Sequence, residues 1–351
     1  MRLLPVTKHT PIGLDVTPRR IHAMQLQRRS GGWQVGAVMS TPREQSTLTP
    51  EAEELDRVRG ALPRHGFMGH RIVAAVPTGL VMSAVLELPP RESGAPIEVI
   101  ATGELSRIHQ RDPLEVEAGC WDLPKPARAG VPVMAVGCSH HDANEFLDTV
   151  ESTGLSVMAL DTRMLATARA VGVMLSDPGR ISAVCDLGWS STRLFVMHQG
   201  VVVYERRLTE YGIKGIHEAI TGRSGVDDEV AEMLVGQVGM GAASTDELGA
   251  LAEQTNVSSM LSSMGDKLIP EISASFSYAE HRYPDATARE LIMVGDGATV
   301  PGLNEQITEG IGCETRIFRP TSWAGNGGGL NALAESPTMA AAMGLAMFGV
   351  N

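Results

Sequence analysis

Two stretches of this chain, 171 positions apart, spell the same succession of elements, and that repetition restricts the fold more than any single motif does. Ile12–Val16, Ile21–Gln27 and Trp33–Met39 read as three short strands, with Ser30-Gly31-Gly32 as a hairpin signal. A polar helical stretch over Pro50–His65 and the strand Arg71–Val76 follow. Ile181–Asp186, Thr192–His198 and Val201–Leu208 repeat the three strands around the hairpin Gln199-Gly200, and the helix Ile213–Thr221 follows them. In each half the first strand runs into an aspartate, Asp15 and Asp186. Two β-β-β-α units predict a duplicated α/β fold.

Between the halves, Ala95–Gln110 reads as a helix and Val131–Cys138 as a buried-type strand. His140–Ser152 reads as a helix closed by Gly154, Leu155–Leu160 as a strand, and Asp161 as the cap of a helix through Ala170. In the second half, Asp227–Leu234 and Ser244–Tyr283 are helix-rich, with nine acids against two bases over Thr221–Glu271. Pro270 marks a kink there or the first turn of a new helix. Leu291–Val294 is a strand, Pro301–Gly310 a helix and Thr315–Phe318 a strand. Ser336-Pro337 opens a last helix whose Ala, Gly and Met residues allow close packing on a sheet.

Composition narrows the function. A hydrophobic share of 43% over 351 residues excludes wholesale disorder and suits roughly two or more domains. The 41 acids against 29 bases, with few aromatics, argue against gripping nucleic acid. Residues 1–30 reverse that sign with six bases and one acid, a surface for weak self-association or acidic lipid, or simply a solvated face. Cys120, Cys138, Cys185 and Cys313 form no metal spacing and are expected to be reduced and buried. With no signal-peptide core and no apolar run of about 20 residues, a soluble cytoplasmic protein is expected. In His140-His141-Asp142 the adjacent histidines point apart, so Asp142 reads as a helix-start acid rather than a metal ligand.

The candidate chemistry lies in three loops: Gly13-Leu14-Asp15-Val16-Thr17, Cys185-Asp186-Leu187-Gly188-Trp189-Ser190-Ser191-Thr192, and Met293-Val294-Gly295-Asp296-Gly297-Ala298. An aspartate ending a strand before a tight turn can hold hydrated Mg²⁺, while backbone N–H groups and hydroxyls meet phosphate oxygens. Glycines let a ligand approach the backbone, and the helix near Pro301 can offer its positive end. Singly, each loop is more often an ordinary turn. Their order carries the weight.

That order resembles the actin, sugar-kinase and heat-shock-chaperone ATPases and, more closely, the PilM family of type IV pilus assembly proteins, relatives of FtsA. The resembling segments are Gly13–Leu26, Leu86-Glu87-Leu88-Pro89-Pro90, Asp112-Pro113-Leu114-Glu115, Glu151–Ala168, Asp186–Leu194, Glu271–Tyr283, Leu291–Leu303 and Ala340–Val350. The resemblance implies an actin-like (ribonuclease-H-like) duplicated fold of two β-β-β-α-β-α halves with an inserted subdomain. Its parts would be a first core (1–77, 153–180 and 333–351), the insert (78–152), a second core (181–220 and 286–332) and a helical outer subdomain (221–285). It implies ATP and Mg²⁺ in an interdomain cleft, with Asp15, Thr17, Asp186, Gly188, Ser190, Thr192, Gly212, Gly295 and Gly297 around the nucleotide. Asp15 and Asp186 would hold the metal through water. It also implies a scaffold at the inner membrane that docks the N-terminal tail of a PilN-like bitopic protein and connects to the pilus motor or alignment complex.

The sequence departs from that pattern in ways that bear on ATP. Where the family has Asp-Ile-Gly, small hydroxyl residues and then a lysine, this chain has Asp15-Val16-Thr17-Pro18-Arg19-Arg20-Ile21-His22. Thr17 adds a Cβ, Pro18 removes a donor, and His22 is at most partly charged at neutral pH. Trp189 is bulky enough to cover the pocket, and Asp296 would repel phosphate. Arg19 and Arg20 could supply replacement charge, but read first as a solvated turn. The expectation is weakened or lost ATP binding and no efficient enzyme, because no dedicated catalytic base is visible. Glu87, Glu104 and Glu115 read as solvated. A sugar or metabolite kinase would need an intact phosphate cradle, which the first loop opposes. An FtsA-like filament would be expected to carry an amphipathic tail beyond Asn351, and a GspL-like secretion protein a membrane span.

Overall fold

The computed structural model describes residues 8–29, 32–44, 47–124, 131–175, 177, 179–240, 247–286, 289–326 and 332–350. Ser30 and Gly31 of the expected hairpin lie outside the described residues. The chain divides into two units, Met1–Ser176 with Arg319–Asn351, and Asp177–Phe318.

The first unit begins with β1 (Lys8–His9), β2 (Ile12–Val16), β3 (Arg20–Arg29), β4 (Gly32–Pro42), α1 (Ala52–Ala61) and β5 (Arg71–Val76). It continues through β6 (Met82–Leu88), α2 (Ile97–Ile108), β7 (Val116–Asp122), β8 (Val131–Ser139), α3 (His140–Ser152), β9 (Ser156–Thr162) and α4 (Arg163–Gly172). The second unit holds β10 (Ile181–Leu187), β11 (Thr192–His198), β12 (Val201–Leu208) and α5 (Ile213–Ser224). After these come α6 (Asp228–Met233), α7 (Glu247–Thr255), α8 (Val257–Arg282), β13 (Arg289–Val294), α9 (Leu303–Ile311) and β14 (Glu314–Ile317). The chain then returns to the first unit with β15 (Gly325–Asn326) and α10 (Ala340–Ala346).

The duplication expected from sequence is visible strand by strand. One sheet runs β4-β3-β2-β5-β9, extended by β15 beyond β4 and by β1 along β3; the other runs β12-β11-β10-β13-β14. In each, the first three strands in sequence are antiparallel, and two parallel strands follow on the far side of the first. Parallel strands require helical crossovers, and these bury both faces of the sheet. β5 shows the result in its period of two. Ile72 and Ala74 join the core that holds Leu55 of α1 and Phe146 and Val150 of α3. Val73 and Ala75 pack instead with Ala166 of α4 and Leu345 of α10. β2 and β10 are buried along their whole length.

β6, β7 and β8 make a layer of their own. β6, β8 and β7 form an antiparallel sheet in that order. Met82, Leu86, Leu88, Val116, Val133 and Ala135 line one face and pack under Ile97, Ala101 and Leu105, which recur every fourth residue along α2.

Several expectations need correction. Thr162, not Asp161, caps α4: its hydroxyl accepts from the N–H of Leu165 at 3.2 Å. Asp161 instead accepts from the Thr162 N–H and pairs with Arg169. Pro270 opens no new helix; α8 runs through it, held by Leu268 and Ile272, both fully buried. α9 starts at Leu303, with Gly302 as its cap, two residues later than expected. The four thiols are free, but only Cys185 is buried; Cys120, Cys138 and Cys313 are half-buried. Asp142 stands in the first turn of α3 and is hydrogen-bonded to the capping Ser139 hydroxyl, as a helix-start acid should be. Among the described residues, no helix is long and apolar enough to cross a membrane.

Phe146 is 1% exposed at the point where α3 meets the first sheet. Phe146→Ala should lower unfolding stability by about 3–5 kcal/mol in urea titrations followed by circular dichroism.

Candidate functional site

In the first unit, Asp15 sits near the carboxyl end of β2 and is fully buried. Its Oδ2 accepts a hydrogen bond from Nη1 of Arg163 at 2.5 Å. Arg163 is the first residue of α4, directly after β9. Because β5 separates β9 from β2, the guanidinium spans the carboxyl end of β5 to reach the carboxylate. Opposite Asp15 in the β2–β3 ladder stands His22, 3% exposed. Burial, then the charges of Arg163 and Arg20, pull its pKa down to about 3, so at pH 7 it is neutral.

The turn after Asp15 is closed on itself. The Thr17 N–H and hydroxyl both donate to the Arg20 carbonyl, at 2.9 and 2.8 Å. The Arg20 N–H donates to the Thr17 hydroxyl oxygen at 3.0 Å, and Pro18 has no N–H to offer. Arg43 fixes the turn from behind: its side chain is fully buried, donates to the Thr17 carbonyl at 3.0 Å and pairs with Glu54. The expectation of a solvated turn fails for Arg20, which is half-buried with Nε on the Ser40 hydroxyl at 2.7 Å.

In the second unit, Asp186, Gly188, Ser190, Thr192, Gly212, Gly295 and Gly297 gather at one end of the sheet. The parallel β10–β13 pairing sets Asp186 beside Val294, and the antiparallel β10–β11 pairing sets Leu187 beside Thr192. The strand order reverses direction at β10, and in open α/β sheets ligands lodge outside the carboxyl ends of strands at such a point. Gly295 has φ +81°, a region that favours glycine, and a Cβ there would stand 2.6 Å from Asp186 Oδ1. Gly297 lies against the Leu187 side chain. Gly212 lets α5 approach the Trp189-Ser190 backbone, where a Cβ would come within 2.5 Å of the Trp189 carbonyl oxygen.

Much of this polar machinery is committed to the fold. The Thr192 hydroxyl is buried and donates to the Tyr211 carbonyl at 2.7 Å. The first N–H groups of α5, those of Ile213 and Lys214, donate to the carbonyls of Gly188 and Trp189 at 3.2 and 2.8 Å. Ser190, by contrast, is exposed. Trp189 packs edge-on against His217 of α5 with ring centroids 5.0 Å apart. Asp296 opens a one-turn helix, where its carbonyl accepts from the Thr299 hydroxyl. Among the described residues, no group of three or more His, Cys, Asp or Glu is arranged to hold a metal ion.

Sequence reasoning missed Arg163 and Arg43. A base at the first position of a helix runs against the helix dipole, and that anomaly was the available signal for Arg163. Arg43 carried none: Thr47, Thr49 and Glu54 follow close behind it, but only the folded loop, with Thr17 from across the sheet edge, gathers them round one guanidinium.

Two sheets of the same strand order, each with a buried aspartate near the end of its first strand, define an actin-like α/β protein. The profile of the family described as type IV pilus assembly protein PilM matches residues 13–350, and the chain belongs to that family. A solved PilM-PilN type IV pilus biogenesis complex is similar with a TM-score of 0.75 at 20% identity, over 97% of this chain and 99% of that one. The ethanolamine utilization protein EutJ from Carboxydothermus hydrogenoformans aligns with a TM-score of 0.55 at 14% identity, over 99% of this chain and 92% of its own. The activator of the 2-hydroxyisocaproyl-CoA dehydratase from Clostridium difficile, solved with bound ADPNP, aligns at 0.50 and 10% identity, over 97% and 93%. At such identities the likeness to these three concerns the fold.

The depressed pKa of His22 has a pH signature. The folded value is about 3 against 6.5 for the unfolded chain, so only the unfolded chain takes up this proton between them. Stability is therefore undiminished above pH 6.5 and falls as the pH drops toward 3. From pH 7 to pH 5 this one histidine should cost roughly 2 kcal/mol in urea unfolding, and His22→Gln should remove most of that pH dependence.

Proposed function

We propose that the chain is a scaffold of type IV pilus machinery, or of a related secretion or competence system. It holds the cytoplasmic N-terminal tail of a PilN-like bitopic inner-membrane protein, lies against the inner membrane through that partner, and contributes to contact with pilus motor or alignment-complex components. The observation that carries this reading is the PilM-family match across residues 13–350. The likeness to a PilM-PilN complex supports the choice of partner. The insert offers a physical means: β6 and β7 are the edges of its sheet, and an extended tail can add to such an edge through backbone hydrogen bonds.

Nucleotide binding is, in this reading, weakened. The ADPNP of the dehydratase activator supports a nucleotide role for the fold, but the first turn of this chain spends its donors on itself, and α5 spends its first N–H groups on carbonyls of the second loop. The chain is then a slow ATPase at most.

Two measurements test these points. A labelled N-terminal peptide of the partner should bind the full chain in fluorescence anisotropy, and deletion of the chain should abolish pili; no binding together with unaffected pili removes the scaffold reading. A ligand at 100 times its dissociation constant stabilises by about 2.7 kcal/mol, so millimolar Mg-ATP should give a thermal shift well short of that. A large shift lost in Asp186→Ala would overturn the weakened site.

A further inference from the structure

Asp15 is, with Asp186, one of the two residues expected to hold a hydrated Mg²⁺, but the side chains around it do not fit one. Its side chain is 1% exposed and that of Arg163 is 14% exposed, so the ion pair is withdrawn from the water that a hydrated cation would need. Arg163 opens α4, where the helix dipole disfavours a positive charge. Asp161, in β9 two residues before Arg163, is held by Arg169 at 2.9 Å, while Arg163 reaches Asp15. In the turn beside the pair both Thr17 oxygens are already engaged, the hydroxyl accepting from the Arg20 N–H at 3.0 Å and the carbonyl from Arg43 Nη1 at 3.0 Å.

We propose that the Asp15 carboxylate takes no divalent cation and that the Arg163 guanidinium is its built-in countercharge, the place of a metal being filled by a residue of the chain itself. A dependence of ATP binding on magnesium, where the reading above of a weak nucleotide site holds, then arises without Asp15.

The test compares the full-length wild type with the double variant Asp15→Asn, Arg163→Gln. Replacing both partners leaves no buried charge unpaired, so the variant is expected to fold, whereas either single change strands a charge. Free Mn²⁺ measured by electron paramagnetic resonance should show equal uptake by both proteins. The ratio of ATP affinities in Mg²⁺ and in EDTA should agree between them within about twofold. In the wild type alone, Mn²⁺ should leave the amide signals of Leu14, Asp15 and Val16 unbroadened, a readout that needs no variant. A Mn²⁺ equivalent bound by the wild type and lost in the double variant overturns the proposal, as does broadening at those amides. Failure of ATP to bind in either buffer removes only the weak-nucleotide reading, and the Mn²⁺ measurements still decide this one.

Discussion

A carboxylate placed in a strand that is buried on both faces has to be neutralised, and the first unit is arranged around that requirement. β2 has no solvent-facing side, because α1 and α3 cover one face of its sheet and α4 and α10 the other. Asp15 therefore cannot rely on water. The compensating charge comes from Arg163, and its position at the start of α4 means that the β9–α4 junction must lie where the guanidinium can span β5. The Thr162 cap, which sets where α4 begins, is thus tied to the charge state of a strand two places away. His22 completes the arrangement by staying neutral, so the ladder position opposite Asp15 adds no second cation.

In the second unit Asp186 also lies near the end of a buried strand, opposite Arg193 in the β10–β11 ladder, and the backbone of the Gly295 turn comes close to it because that residue has no Cβ. Several glycines and hydroxyls of its loops have a packing or hydrogen-bonding reason to be present: Thr192 ties β11 to Tyr211, and Gly212 admits the Trp189 backbone. A motif of Gly, Ser and Thr can therefore persist for the sake of the fold, whether or not a phosphate is held. This is why fold kinship alone does not carry activity over from one member of such a group to another.

The parts legible in sequence were those governed by local rules. Alternation and turn chemistry located both sets of three strands, and Gly154, at φ +82°, marked the end of α3 because capping is decided within a few residues. Where two adjacent residues could serve, local rules were insufficient: Asp161 and Thr162 are both good caps, and the choice was settled by Arg169. The outer strands β6 and β7 were not distinguishable in sequence, since half-exposed edge strands with Glu87, Glu117 and Gly119 lack a clean pattern. Of the two readings of Pro270, the start of a new helix fails because the helix around it is held by tertiary burial. Arg163 was missed for a related reason: its partner lies 148 residues away.

The same physics separates a loop that switches from one that is fixed. A loop that binds and releases nucleotide needs donors that are satisfied by solvent in one state and by phosphate in the other. In the turn after Asp15, the N–H groups of Thr17 and Arg20 and the Thr17 hydroxyl are satisfied within the turn, and Arg43 pins its carbonyl from the buried side. Opening it would break several hydrogen bonds at once and expose a buried arginine whose partner Glu54 is 6% exposed. Such a turn resists conversion between two states. The first unit is thereby suited to a constant docking platform, and any response to ligand would have to originate in the loops of the second, where Ser190 is exposed.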